Sequence, residues 1–217
     1  MFDPMANFSF LSNWVSLFLM ILILPNSFWT INSRLLVTLK MMINKLHQEL
    51  KSTFTKNILY KGSTLIMISC FMFIMTSNIT SNFPYTFCSS AHLSFSVSLS
   101  IPIWLSIILF QWITLSKTMM AHLVPNGTPV VLMPLMVMIE ITSNIIRPMA
   151  LAVRLSANLI AGHLLMALLG NTLNIKQVTW IMLVVIQMIF LTFELMVGMI
   201  QAYVFSVLMN LYSSEIN

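Results

Sequence analysis

The sequence predicts an all-α integral membrane protein: one N-terminal transmembrane helix, a matrix-side amphipathic helix, a transmembrane hairpin and two long, steeply tilted helices. Three observations support this fold class. The 217 residues are 59% hydrophobic and only 7% charged, against about a quarter charged in soluble globular chains. Apolar stretches recur, each long enough to cross ~30 Å of hydrocarbon. Only short polar segments separate them, so we expect a single membrane domain over residues 1–217.

The first half of the chain contains two kinds of helical segment. Residues 8–31, 62–80 and 93–115 are apolar and uncharged, so each is expected to span the membrane, the last two as a hairpin. Residues 33–57 differ, because apolar side chains recur at helical spacing with lysines between them. These apolar positions are Leu39, Ile43, Leu46, Leu50 and Phe54. The pattern is typical of an amphipathic helix on a membrane surface.

The basic residues indicate orientation and compartment. Six of the ten lysines and arginines fall between Arg34 and Lys61, beside the membrane, which explains the net charge of +5 without nucleic acid. Such an excess favours the matrix or cytoplasmic side, so we expect the N-terminus on the opposite side. The first residues, MFDPMANF, contain no basic residue and are not a secretory or transit signal. We therefore expect synthesis in a bacterium or inside the organelle where the protein works.

The C-terminal half consists of two unusually long apolar segments, residues 130–170 and 177–212. At 1.5 Å per residue, each helix would be roughly 54–60 Å long, about twice the thickness of the hydrocarbon core. Spanning helices tilt by only ~20° on average, so these two must be steeply inclined or project from the membrane. Pro148 is expected to bend the first arm without ending it, because neighbouring helices can satisfy the freed backbone group.

These two long segments also hold nearly all the polar groups found inside apolar stretches. The polar residues are Glu140, Asn144, Arg147, Arg154, Asn158, His163, Gln187, Glu194 and Gln201. An ionisable group at the membrane centre costs ~2.5–3.5 kcal/mol, which makes it a functional candidate by default. The spacing places the first five on one stripe of the first arm, which Ala161 and Gly162 continue with small side chains.

Two other faces follow from the same periodicity. His163 is nine residues from Arg154 and lies half a turn away from the stripe. On the second arm, the heptad spacing of Gln187, Glu194 and Gln201 gives one face, which we expect to turn toward the first arm. His163 and Glu194 are then candidates to share a hydrated pocket, where both side chains can carry protons.

Arg154 is the most informative of these groups. The nearest acid on its own arm, Glu140, is roughly 21 Å away along the helix axis, too far for a salt bridge. Its counter-charge is therefore either Glu194 on the other arm or an acid on another polypeptide. A guanidinium keeps its charge in proteins, so it can make a carboxylate release its proton and can repel a proton moving along water. Two side chains that can carry protons, His163 and Glu194, together with this fixed cation suggest a gated proton path.

Other interpretations of the polar groups remain open. Glu140 and Arg147 could form a structural ion pair. Asn144, Asn158 and Gln187 could serve as hydrogen-bonding contacts between helices. The two cysteines, Cys70 and Cys88, show no spacing typical of a metal site or a disulfide. No cofactor is expected.

Several segments resemble ATP synthase subunit a of the mitochondrial type. RPMALAVRLSANLIAGHLLMALLGN, from Arg147 to Asn171, is similar to the signature segment of that family. AHLVPNGTP, FELMVGMIQAYVFSVL and the C-terminal LYSSEIN resemble its other recurring stretches. The likeness covers residue 93 to the C-terminus by sequence, and the first 90 residues by their layout. It implies a multi-pass subunit of the mitochondrial inner membrane, with its N-terminus in the intermembrane space.

The resemblance also implies a function. Subunit a is the stationary, non-catalytic part of a rotary ATP synthase, and provides two offset proton half-channels beside a ring of c subunits that each carry a buried carboxylate. Other implied partners are the peripheral stalk, further membrane-sector subunits and the lipid bilayer. Arg154 matches the arginine that meets the ring carboxylate. The matches to the rest of the proton path are Asn158, His163, Glu194, Gln201 and, on the matrix side, Glu140; further candidates are Arg147, Gln187 and Asn144.

Alternative functions make different predictions. A haem-bearing respiratory subunit needs paired histidine ligands on membrane helices, but His163 is the only deep histidine of four. An ion transporter with inverted repeats should show internal symmetry, and no repeat is visible. Another proton-conducting respiratory subunit would copurify with different partners. For a purely structural scaffold, replacing Arg154 would leave proton flux unchanged.

Overall fold

The computed structural model describes residues 33–53, 62–83, 86–114, 116–124, 129–172 and 180–214. Within these ranges the chain is helical, with no strand. The α-helices are α1 (Arg34–Thr53), α2 (Ser63–Ser81), α3 (Leu93–Thr114), α4 (Ser116–His122), α5 (Met133–Thr172) and α6 (Trp180–Ser214). Among them α2, α3, α5 and α6 are long and apolar enough to cross a membrane. The prediction of an all-α chain with several membrane-spanning helices is confirmed.

Local sequence explains where the helices begin and continue. The Ser33 hydroxyl accepts a hydrogen bond from the Leu36 amide at 3.4 Å, which caps α1. Gly62 precedes α2 with a φ of 102°, a left-handed conformation that favours glycine. Pro134 lies in the first turn of α5, where no helical partner is lost. Pro148 lies inside α5, and the helix continues through it.

The expected and observed segments can be compared directly. α2 and α3 occupy Ser63–Ser81 and Leu93–Thr114, where we expected residues 62–80 and 93–115. α5 and α6 occupy Met133–Thr172 and Trp180–Ser214, against expected ranges of 130–170 and 177–212. A short 3₁₀ turn, Val130–Leu132, leads into α5. The expected N-terminal helix over residues 8–31, and residues 54–57 of the amphipathic segment, lie outside the described residues.

The membrane helices pack in two main pairs. α6 packs most extensively against α2, and α5 packs against α3, whereas the contact between α5 and α6 is smaller. The buried apolar cluster consists of Leu50, Met67, Ile74, Leu151, Leu155, Leu159, Ala202, Phe205 and Met209. Most other large apolar side chains of α5 and α6 point outward. Such a surface suits lipid rather than water.

Three buried amides tie α6 to other helices through backbone carbonyls. The Asn78 side chain of α2 donates to the Gly198 carbonyl at 2.9 Å. The Gln111 side chain of α3 donates to the Ser213 carbonyl at 3.3 Å. From α6, Asn210 donates to the Leu50 carbonyl of α1 at 3.1 Å. These bonds hold α6 in place along much of its length, because a polar group in an apolar environment is costly without a partner.

Candidate functional site

Two side-chain contacts fix how α5 and α6 lie against each other. The Arg147 Cζ lies 4.9 Å from the centroid of the Tyr212 ring. At the other end, the His163 Nε2 lies 4.0 Å from the Glu194 Oε1. The contacts are about 24–27 Å apart along the helices, given 1.5 Å per residue. The pairing is therefore antiparallel, and its register brings Gln201 to within about one helical turn of the level of Arg154.

Glu194 is packed tightly against α5. Its side chain is only 7% exposed, and it lies directly over Gly162. A Cβ added to Gly162 would lie 2.7 Å from the Glu194 Cδ and closer still to the Oε1. The 4.0 Å separation from His163 is longer than a direct hydrogen bond. The two side chains that the sequence proposed for one pocket are therefore neighbours.

Further polar groups surround this pair. The 3₁₀ turn Ser89–Ala91 packs against α5. Burial raises the pKa of the neighbouring Cys88 thiol, and the Glu194 carboxylate adds to that rise. The hydroxyls of Ser89 and Ser90 and the Asn78 Oδ1 are buried without a hydrogen-bond partner in the described part of the chain. Asn78 bonds to Gly198, one turn along α6 from Glu194. Buried polar groups thus lie on the elements that pack near Glu194.

Arg154 faces the other way. It lies on the exposed side of α5, while Leu151 and Leu155 on the inner side are buried. No hydrogen bond or ion pair joins it to any described residue, so the alternative in which Glu194 is its partner is not observed. Glu194 lies instead beside His163, about 13.5 Å from Arg154 along the helix axis.

One expectation about the small residues needs correction. Ala161 is exposed on the same side as Arg154, as the periodicity predicted. Gly162 was expected to continue that stripe, but it is buried and faces Glu194. The reason is rotational, because each residue turns a helix by about 100° and moves position 162 off the stripe. The close approach that Gly162 permits is therefore to α6 of the same chain.

The other candidate residues occupy intermediate positions. Glu140, Asn144, Arg147, Asn158, Gln187 and Gln201 are all half-buried. Arg147 lies over Tyr212. On the heptad face of α6, Glu194 is buried whereas Gln187 and Gln201 are not. The described residues contain no group of three side chains suited to a metal ion.

Several buried polar residues with structural roles were not among the residues predicted from the sequence. Asn78, Gln111 and Asn210 bond to backbone carbonyls across helices, and Cys88 lies close enough to Glu194 to feel its charge. The available signal was an amide inside an otherwise apolar stretch, which has to find a buried partner. The partners of these amides are backbone carbonyls, which the sequence pattern does not indicate.

Comparison with known proteins agrees with these features. A family model described as ATP synthase A chain matches residues 8–214. ATP synthase subunit a of Locusta migratoria is 50% identical over 99% of this chain and 96% of its own length. The proteins of the same name from Drosophila melanogaster and Aedes aegypti are 48% and 47% identical, each over 100% of this chain and 96% of their own lengths. The chain belongs to the ATP synthase subunit a family.

Proposed function

We propose that this chain is the stationary membrane subunit of a rotary ATP synthase, with two offset proton half-channels that meet a ring of c subunits. The subunit is not catalytic by itself, since it conducts protons while ATP is made elsewhere in the complex. Its partners are the c-subunit ring, the peripheral stalk, other membrane-sector subunits and the lipid bilayer. The family membership supports this general role.

The observation that carries the detailed proposal is the separation of Arg154 from the His163–Glu194 pair. The two proton-competent side chains are 4.0 Å apart on the inner side of the hairpin. Arg154 lies on the exposed side, without an acidic partner among the described residues. A permanent cation at the membrane interior is costly without a counter-charge. A carboxylate on a neighbouring ring would supply that charge whenever it passes.

The proposed path begins on the intermembrane-space side. Protons reach His163 and Glu194 and are passed to a ring carboxylate, which then travels around with the ring as a neutral group. When the carboxyl group comes next to Arg154, the guanidinium stabilises its ionised form. The proton leaves toward the matrix past Glu140. Each proton that crosses ~100 mV releases ~2.3 kcal/mol, and Arg154 prevents protons from bypassing the ring.

The remaining candidate residues extend the same path. Asn158 lies one turn from Arg154, and Gln201 lies within about one turn of its level on α6, so both amides can orient the guanidinium and the arriving carboxylate. Asn144 and Arg147 follow Glu140 along α5 on the matrix side. Gln187 lies on the same face of α6, two turns from Glu194 in the direction away from Gln201. Arg147 has an aromatic partner in Tyr212, which favours a supporting role for it.

We place the chain in the mitochondrial inner membrane as one multi-pass membrane domain over residues 1–217. Six of the ten basic residues lie between Arg34 and Lys61, which favours the matrix side for this segment. The N-terminus then lies in the intermembrane space. α5 and α6 contain 40 and 35 residues, which corresponds to about 60 and 53 Å at 1.5 Å per residue. Both therefore lie strongly tilted in a membrane core of ~30 Å.

The proposal is tested by Arg154→Ala in the assembled ATP synthase, reconstituted into liposomes. We expect ATP-driven acidification to be abolished while the complex still assembles, because only the charge that meets the ring is lost. Ile160→Ala serves as the control, since Ile160 is 42% exposed on the same helix and about 120° around from Arg154. Pumping at the control rate by Arg154→Ala would reject the mechanism.

A further inference from the structure

We propose that Gly162 is a positioning residue for Glu194: its missing side chain creates the slot that holds the Glu194 carboxylate beside His163. The inference rests on the proposed function, because it concerns the geometry of the intermembrane-space half-channel. It assigns a role to a residue that carries no functional group of its own. The role follows from packing between α5 and α6.

The slot is narrow. A Cβ at position 162 would lie 3.2 Å from the Glu194 Cγ, 2.7 Å from its Cδ and in still closer conflict with its Oε1. Real side chains do not tolerate such contacts, so the carboxyl group would have to move. Glu194 is only 7% exposed, and its carboxyl group cannot swing freely into open space.

The direction of that movement matters for proton transfer. His163 directly follows Gly162, so the carboxylate that lies over Gly162 also lies within 4.0 Å of the His163 Nε2. A side chain at position 162 pushes the carboxyl group off the α5 backbone and away from the imidazole. Proton transfer depends on hydrogen-bond reach, either directly or through one water. Widening the gap should therefore slow the exchange.

Two other glycines of the same hairpin provide matched controls. Gly170 also lies on α5, but a Cβ there would meet no atom within 4 Å. At Gly198 on α6, the nearest contact would be the Asn78 Cβ at 3.3 Å, a distance that a small adjustment can relieve. Steric conflict thus increases through a series of three alanine variants, from Gly170→Ala through Gly198→Ala to Gly162→Ala. Only Gly162→Ala displaces the Glu194 carboxylate.

The experiment compares ATP-driven acidification by complexes that carry these variants in liposomes. We expect Gly162→Ala to lower the rate by about 10–100-fold, the loss that a misplacement of about 1 Å causes at reacting groups. Gly170→Ala should pump like the unmodified complex, and Gly198→Ala should fall between them. Gly162→Ala should also shift the pH profile of pumping, since the titratable side chain beside the Glu194 carboxylate is that of His163 on α5. Normal pumping by an assembled Gly162→Ala complex would overturn the inference.

A second comparison applies if Gly162→Ala fails to assemble. The double variant Gly162→Ala/Glu194→Ala removes the carboxyl group that the new methyl would strike. We expect the double variant to assemble as well as Glu194→Ala alone, because the methyl then fills the vacated slot. An assembly defect that persists in the double variant would show that Gly162 acts on something other than Glu194, and would overturn the inference.

Glu194→Gln separates this inference from the proposed function. If Glu194→Gln pumps normally, the carboxylate is not on the proton path and the proposed function fails at that point. If Glu194→Gln stops pumping while Gly162→Ala does not, only the role of Gly162 is rejected. We expect Glu194→Gln and Gly162→Ala each to lose most of their pumping activity. Gly170→Ala should keep its pumping activity.

Discussion

The two sides of α5 show opposite ways of placing a polar group in a membrane helix. On the inner side, His163 lies beside Glu194, which packs against Gly162 and is covered by α6. On the outer side, Arg154 has no acidic partner among the described residues, and the apolar neighbours are exposed. The chain thus completes one of its two charged sites by itself. In the proposed function, a second polypeptide completes the other site.

This difference follows the chemistry of the groups. Imidazole and carboxyl groups can become neutral, so burying them together within one chain costs less than burying a permanent charge. A guanidinium cannot lose its charge, and burying it would require a permanent acid. Such an acid would compete with any carboxylate that arrives from outside. An outward-facing arginine without a mate in its own chain is therefore suited to meet a moving acidic group.

The largest effect that would test this comparison is expected from Arg154→Lys. The variant keeps a positive charge, but an ammonium can lose its proton when desolvated and lacks the planar guanidinium fork. We expect ATP-driven pumping to be lost almost as fully as in Arg154→Ala, while the complex assembles. Coupled ATP synthesis at the normal rate in vesicles that carry Arg154→Lys would show that any cation suffices on the outer side.

His163→Ala tests the inner side, and its effect should be smaller. We expect slower pumping without any increase in passive proton leak, because His163 lies on the side of α5 opposite Arg154. Dye quenching measures the pumping rate, and the decay of an imposed pH gradient measures the leak. Leu164→Ala is the neighbouring control, since Leu164 is 43% exposed on the same helix. A faster leak in His163→Ala would place the imidazole at the barrier that Arg154 maintains.

The smallest effect is expected from Tyr212→Leu, which removes the ring under Arg147. A cation–π contact contributes about 0.5–2 kcal/mol, so the hairpin should loosen slightly at its matrix end while pumping continues. The measurement is the temperature at which the complex loses ATP-driven pumping, with Leu211→Ala as a control on the exposed side. A complete loss of pumping would mean that Arg147 takes part in proton release.

Periodicity predicted much of this arrangement. The spacing of Arg154 and His163 places them on opposite sides of a helix whatever packs around it, and the structure shows one exposed and the other half-buried beside Glu194. The expectation for Gly162 was wrong, because a turn of about 100° per residue moves position 162 off the stripe and toward α6. The sequence did not predict the interhelical hydrogen bonds of Asn78, Gln111 and Asn210. Their partners are backbone carbonyls, which have no sequence signature.

The sequence by itself determined that the chain is helical, lies in a membrane and carries its charged groups on two long helices, because hydropathy and helical periodicity are local properties. Only the tertiary structure decided that Glu194 lies beside His163 rather than Arg154, and that Gly162 makes room for it. It also decided that α6 packs mainly on α2. The physical reason is that α5 and α6 are apolar on most of their surface. Hydropathy then leaves their mutual rotation and register open, and these are fixed by close contacts such as those of Gly162 and Tyr212.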